Sequence, residues 1–251
     1  MFLLVGAAIA LTSGSTRSGS TAATAVNASG ANATPSTDFV ARKTNGDELP
    51  APDDVTSADF SRSGIAAFNS GDLASAEAKL KAAVEADGQN AEMLNNLGQV
   101  LVKARKAREA IPYFDRAIAI ADGVWAYHFN RARAYALVQD WEKAIAGYNN
   151  AVRLFPGDYA THFNLAKARE ASGDLPGAVE SYGKAAELAP GQGEFQLWYG
   201  RALDRSGRQK DAAAAYRKFL ELEPDAPQAE KVKARLAQLG DSPAGTPPRA
   251  S

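Results

Sequence analysis

Five alanines, Ala76, Ala110, Ala144, Ala178 and Ala212, stand 34 residues apart. Leu80, Phe114, Tyr148, Tyr182 and Tyr216 lie four places after them, and Ala83, Ala117, Ala151 and Ala185 three places further on. Pro156, Pro190 and Pro224 keep the same spacing, as do the small residues Gly64, Gly98, Ala132, Ala166 and Gly200. A period of this length, held without insertion, constrains the fold more than composition does. Each unit must be one supersecondary element that cannot bury its apolar face alone and buries it against the next copy. Five units follow, 57–90, 91–124, 125–158, 159–192 and 193–226.

Each unit reads as two helices. In the fourth, "YATHFNLAKAREAS" contains helix formers and no breaker, and Gly173 supplies the left-handed residue that ends a helix. "LPGAVESYGKAAEL" then carries Pro176 in its first turn, where a missing N–H costs little, and Pro190 stops it. Ala166, Ala178 and Ala185 let two backbones approach, while Leu165 and Tyr182 fill the space beside them. Beyond Ala226, "PQAEKVKARLAQLG" reads as one more amphipathic helix over 227–239, with Val232, Leu236 and Leu239 on one face.

The 34-residue unit, with small residues at places 8, 20 and 27, mostly large ones at 4, 7, 11, 17 and 24, and Pro at 32, resembles the tetratricopeptide repeat over 57–226. The resemblance implies an all-α, right-handed α-solenoid of five helix-turn-helix units, closed by a capping helix and flanked by disordered tails. Some residues depart from the family pattern. Arg131 and Arg169 stand at places 7 and 11, Arg105 occupies the turn position held by Gly71, Gly173 and Gly207, and Phe219 replaces the third small residue of unit five.

Composition excludes several chemistries. With no cysteine there is no disulfide framework, zinc–thiolate site or thiol nucleophile. Balanced charge, 28 basic against 29 acidic side chains, gives no bulk attraction to nucleic acid. No phosphate-binding loop, dinucleotide fingerprint, nucleophile elbow or zinc-protease helix occurs, so neither an enzyme nor a cofactor is expected. The two histidines sit in "HFNRAR" and "HFNLAK", 34 residues apart. Two ligands on one helix need a spacing of three or four. His128 and His162 fall instead at place 4, a packing position, and are expected to point inward.

The other residues of each tripeptide fall on a different helical face. In tetratricopeptide arrays that face of the first helix lines the peptide-binding groove, and the resemblance implies the same here. Place 6 offers Asn96, Asn130, Asn164 and Trp198; place 9 offers Gln99, Arg133, Lys167 and Arg201; place 5 offers Phe129, Phe163 and Leu197. Asparagines can exchange hydrogen bonds with an extended backbone, cations favour carboxylates, and aromatic side chains anchor interfaces. The expected partner is a protein or peptide, acidic or presenting its C-terminus. The alternative is family habit, with the cations paired to Glu170, Asp204 or Glu194. The family's carboxylate clamp for chaperone tails is matched only at the middle asparagine, so a chaperone-tail receptor is not expected.

The ends are different in kind. Residues 1–14 open on an apolar run from Phe2 to Leu11, too short to span a bilayer and similar to the apolar part of a secretory signal, although no Lys or Arg precedes Arg17. Residues 15–56 are rich in Ser, Thr, Ala and Asn and read as a disordered tether, with sequons at Asn27 and Asn32 that fit chance in such a segment. Residues 240–251 form a similar tail. The expectation is an exported, periplasmic or membrane-anchored scaffold for an envelope complex, tethered through its N-terminus; the alternative is a cytoplasmic adaptor. Lys103, Arg105, Lys106 and Arg108 cluster at one inter-helix turn, read as a solvated helix end rather than an anion-binding patch.

Overall fold

A computed structural model describes residues 56–240. The expectations for the apolar start, the sequons, most of the tether and the closing tail fall outside those residues. Among the described residues the secondary structure is eleven helices and no strand. The chain divides between Asp87 and Gly88 into two units.

The first unit is a hairpin of α1 (Ser57–Asn69) and α2 (Leu73–Ala86). Thr56 starts α1 with a reciprocal cap: the Asp59 N–H donates to Thr56 Oγ1, and the Thr56 N–H donates to Asp59 Oδ2. Gly64 is where the two helices meet. A Cβ there would stand 2.7 Å from Leu80 Cγ, and Ala76, Leu80 and Ala83 are buried on the facing side.

The second unit holds four further hairpins: α3 (Ala91–Lys103) with α4 (Ala107–Ile120), α5 (Trp125–Leu137) with α6 (Trp141–Leu154), α7 (Tyr159–Ser172) with α8 (Leu175–Leu188), and α9 (Gly193–Arg205) with α10 (Gln209–Leu222). A last helix, α11 (Ala229–Gln238), packs on α10. Within the unit each first helix also touches the second helix before it, and α3, α5 and α7 touch in succession. First helices begin at Ser57, Ala91, Trp125, Tyr159 and Gly193, and second helices at Leu73, Ala107, Trp141, Leu175 and Gln209, so both series repeat at 34.

Why the elements start and stop there is local chemistry. Asp72, Asp140 and Asp174 cap α2, α6 and α8 by accepting from the N–H of Ser75, Lys143 and Gly177. The turn before each second helix needs one residue with positive φ. Gly71, Gly173 and Gly207 supply it at +85°, +90° and +79°, and Arg105 and Gln139 adopt it at 65° and 63°. Arg105 therefore keeps the turn that its side chain disfavours, and Gln139 does the same in the next unit.

The other departures from the repeat pattern are absorbed. Arg131 reaches from α5 to Asp115 on α4 at 2.8 Å. Arg169 braces its hairpin, its Nη1 donating to the Gly177 carbonyl at 3.0 Å and to Ser181 Oγ at 2.8 Å. Phe219 is buried, and Ala229, Val232 and Leu236 of α11 are buried.

Candidate functional site

Because α3, α5 and α7 lie side by side, equivalent places on them come together as a surface of repeating chemistry. The aromatic anchors expected at place 5 are not on it. Phe129 and Phe163 are 2% and 1% exposed, and Leu197 is buried with them. Phe129 packs against Tyr148 at 5.6 Å between ring centroids, and Phe163 against Tyr182 at 5.5 Å and Phe195 at 5.1 Å. These rings close the contact between neighbouring helices. Place 5 gains more from burial there than from solvent, a choice that helical spacing alone leaves open.

The asparagines are also not equivalent. Asn96 and Asn130 are buried, whereas Asn164 is half-buried and donates through Nδ2 to the Ala160 carbonyl of its own helix at 2.8 Å. Asn130 Nδ2 donates to Oδ1 of Asn95 at 2.9 Å, and Gln99 Nε2 donates to Asn96 Oδ1 at 3.5 Å. Asn95, which precedes the expected residue, is fully buried and links α3 to α5. Its place-5 position gave little sign of a polar link, because units three to five put Phe129, Phe163 and Leu197 there.

Place 9 carries the cations. Gln99, Arg133, Lys167 and Arg201 are all half-buried. Lys167 Nζ lies 5.6 Å from the Phe163 ring and 6.0 Å from the ring of Trp198, and the Arg201 guanidinium lies 5.2 Å from Trp198. Trp198 in turn stacks on Tyr182, 6.1 Å away with an 18° tilt. Burial pulls the Arg133 guanidinium and the Lys167 ammonium below their ordinary values, the latter opposed by Glu194, and pushes the Tyr148 and Tyr182 hydroxyls upward.

Two carboxylates that could have neutralised this row are engaged elsewhere. Glu170 accepts from the Tyr182 hydroxyl at 2.8 Å and pairs with Arg205. Asp204 is held in two places by Arg235 of α11, each at 2.7 Å. Among the described residues no carboxylate forms an ion pair with Arg133 or Arg201.

The histidines lie on the packing side, as expected. His128 Nε2 donates to the Asp122 carbonyl at 2.7 Å and His162 Nε2 to the Pro156 carbonyl at 3.0 Å. Each ties the start of a first helix to the turn that precedes it. Nε2 is committed to the backbone in both. Among the described residues no three His, Asp or Glu side chains are grouped to hold a metal, and no helix is long and apolar enough to cross a membrane. Lys103, Arg105, Lys106 and Arg108 are exposed at the α3–α4 turn.

The tetratricopeptide repeat family model matches residues 62–124, 96–159 and 163–229. No curated protein matches the chain by sequence. Among solved structures, the chain resembles MamA from Desulfovibrio magneticus, with 19% identity over 68% of this chain and 97% of that one and a TM-score of 0.63. It also resembles YrrB, described as a TPR protein with an unusual peptide-binding site, with 18% identity over 71% and 92% of the two chains and a TM-score of 0.61. A thermophilic TPR protein of Thermus thermophilus follows, with 19% identity, 73% and 98% coverage and a TM-score of 0.52. At these identities the likeness is one of fold.

Proposed function

Because this chain belongs to the tetratricopeptide repeat family, we propose that it is a non-catalytic scaffold that holds a segment of another protein along its first helices. One observation carries the reading. Arg133, Lys167 and Arg201 stand at the same place of three successive units, beside the Trp198–Tyr182 stack, and among the described residues neither arginine has a carboxylate partner. Cations left half-buried without a counter-ion are costly unless a partner supplies one. An acidic segment or a C-terminal carboxylate provides that charge, and Trp198 offers the half-exposed ring against which such a segment packs. A peptide-binding site on YrrB fits the same use of the fold.

The test is binding of a fluorescent acidic peptide library to the intact chain and to Lys167→Ala/Arg201→Ala and Trp198→Ala variants. Each change should weaken binding by roughly tenfold or more, the effect of losing one charge-assisted contact or one anchor, with the far-UV circular dichroism unchanged. Affinity that persists in both variants would remove this face from the reading.

The scaffold is proposed to serve a cell-envelope complex, exported or membrane-tethered through its N-terminal apolar run. That placement rests on the sequence of residues 1–14. Fractionation of the native host decides it: a soluble cytosolic product that retains Met1 makes the protein a cytoplasmic adaptor.

A further inference from the structure

The turn between α3 and α4 departs three times from its counterparts, each time towards positive charge. At the position of Gly71, Gly173 and Gly207, Arg105 holds a φ of 65°, a conformation that penalises a residue with a Cβ. Where Asp72, Asp140 and Asp174 cap their helices, Lys106 makes no side-chain cap. Two residues further on, Arg108 lies in the first turn of α4. The positive end of the helix dipole disfavours a cation at both of these places, whereas Lys103, in the last turn of α3, gains from the negative end. A solvated helix end therefore accounts for Lys103 alone. The other three cations each cost local stability.

For Arg105 and Arg108 no ion pair offsets that cost. Both are exposed, as is Lys103, and among the described residues none of the three pairs with a carboxylate. Glu109, exposed in the first turn of α4, subtracts one charge from the cluster. The α9–α10 turn is basic too, but there Arg205 pairs with Glu170 and Arg208 with Asp211. Leu137 ends α5 at the place that Lys103 occupies in α3, and it is 38% exposed. Because α3 and α5 are in contact, the cations and this unburied aliphatic side chain belong to one edge of the repeat series.

We infer that this turn docks on a membrane surface rich in acidic phospholipids. Exposed cations gain there from the negative surface potential, and a headgroup layer takes up their charge without asking for one fixed geometry. Leu137 gives the same edge an apolar side chain to place at the acyl boundary. A nucleic acid has no use for that leucine, and four cations fall short of the extended stripe that tracks its backbone. The N-terminal apolar run, proposed above as a tether, would hold this edge near a bilayer, but the preference for acidic lipid does not depend on it. The inference goes beyond segment binding and fails separately from it, since it concerns vesicles and not peptide capture.

The experiment sediments the full chain with vesicles of phosphatidylcholine alone and of phosphatidylcholine with one third phosphatidylglycerol, and reads the ratio of the two partition coefficients. Insertion of the apolar run contributes to both and cancels in the ratio. Expected is a ratio well above one in dilute buffer that falls towards one at about 1 M salt, where charges are screened within about 3 Å. Arg105→Gly should lower the ratio about fivefold, the share of one cation, and Lys103→Gln/Arg105→Gly/Arg108→Gln should bring it close to one. Arg105→Gly also relieves the backbone, so its urea midpoint should rise while vesicle binding falls, a combination that misfolding does not produce. Leu137→Ser should weaken binding to the acidic vesicles severalfold. A wild-type ratio near one overturns the inference, as do acidic-vesicle binding unchanged by Leu137→Ser and a ratio unchanged in the charge variants. Tighter, salt-sensitive binding to polyglutamate than to the acidic vesicles overturns it as well and assigns the turn to an acidic protein.

Discussion

At the scale of single residues, the clearest cost is at the turns. Arg105 and Gln139 hold φ of 65° and 63°, a region that Cβ-bearing residues enter at a penalty and glycine enters freely. Arg105→Gly and Gln139→Gly should each raise stability by about 1 kcal/mol, read as a shift in urea midpoint without a change in slope. The opposite holds at Gly98, where a Cβ would lie 2.5 Å from the Phe114 ring, itself fully buried. Gly98→Ala is expected to destabilise by roughly 1–3 kcal/mol, the range for overpacking a tight core, again measured by urea unfolding. The small residue at place 8 could be read from the period. That the ring of place 24 fills its space depends on the approach of two helices.

At the scale of elements, the second helices differ in how they begin. Asp72, Asp140 and Asp174 cap three of them, whereas Lys106 makes no side-chain cap to α4. Lys106→Ser would place Ser ahead of Glu109 in the spacing of a reciprocal capping box. We expect it to add about 1 kcal/mol to the stability of α4, seen as slower amide exchange over its first turn. Helix positions were legible because the 34-residue period carries them through units where a turn glycine or a cap is missing, as at Arg105 and Lys106. Less legible was what a misplaced charge does: Arg169 stands where the repeat prefers an apolar residue, and only the packing of α8 beside it supplies the Gly177 carbonyl and Ser181 hydroxyl that satisfy it.

At the scale of the whole molecule, the end of the repeat series is secured by a charge contact as well as by apolar burial. Arg235 of α11 grips Asp204 of α9, and the Tyr216 hydroxyl of α10 approaches the same carboxylate at 3.4 Å. The Tyr216 hydroxyl is raised to about 12 by burial and by Asp204. Hydrogen bonding from Arg235 holds the Asp204 carboxyl below the ordinary value of 3.8. A group whose folded value is depressed contributes stability that is fully present above its unfolded value and lost as pH falls through the folded one. Docking of α11 should therefore be constant at neutral pH and weaken only below 3.8, detected as faster hydrogen exchange in Ala229–Gln238. Asp204→Asn should give that faster exchange already at pH 7, and exchange unchanged by the substitution would show that apolar burial alone holds α11.

The sequence by itself determined the architecture: a 34-residue period of small and large residues leaves paired helices as the unit and stacking as the only way to cover them. It also placed the histidines inward and the cations of place 9 on a shared face. Only the tertiary structure decided which of the face residues remain available. Phe129, Phe163 and Leu197 are spent closing the contact between neighbouring helices. Asn95 gains a role because Asn130 of the next unit stands 2.9 Å away. Periodicity tells the direction in which a side chain leaves its helix. Whether it meets solvent, a ring or an amide depends on the distance to the neighbouring helix, which is set by packing between residues far apart in the chain.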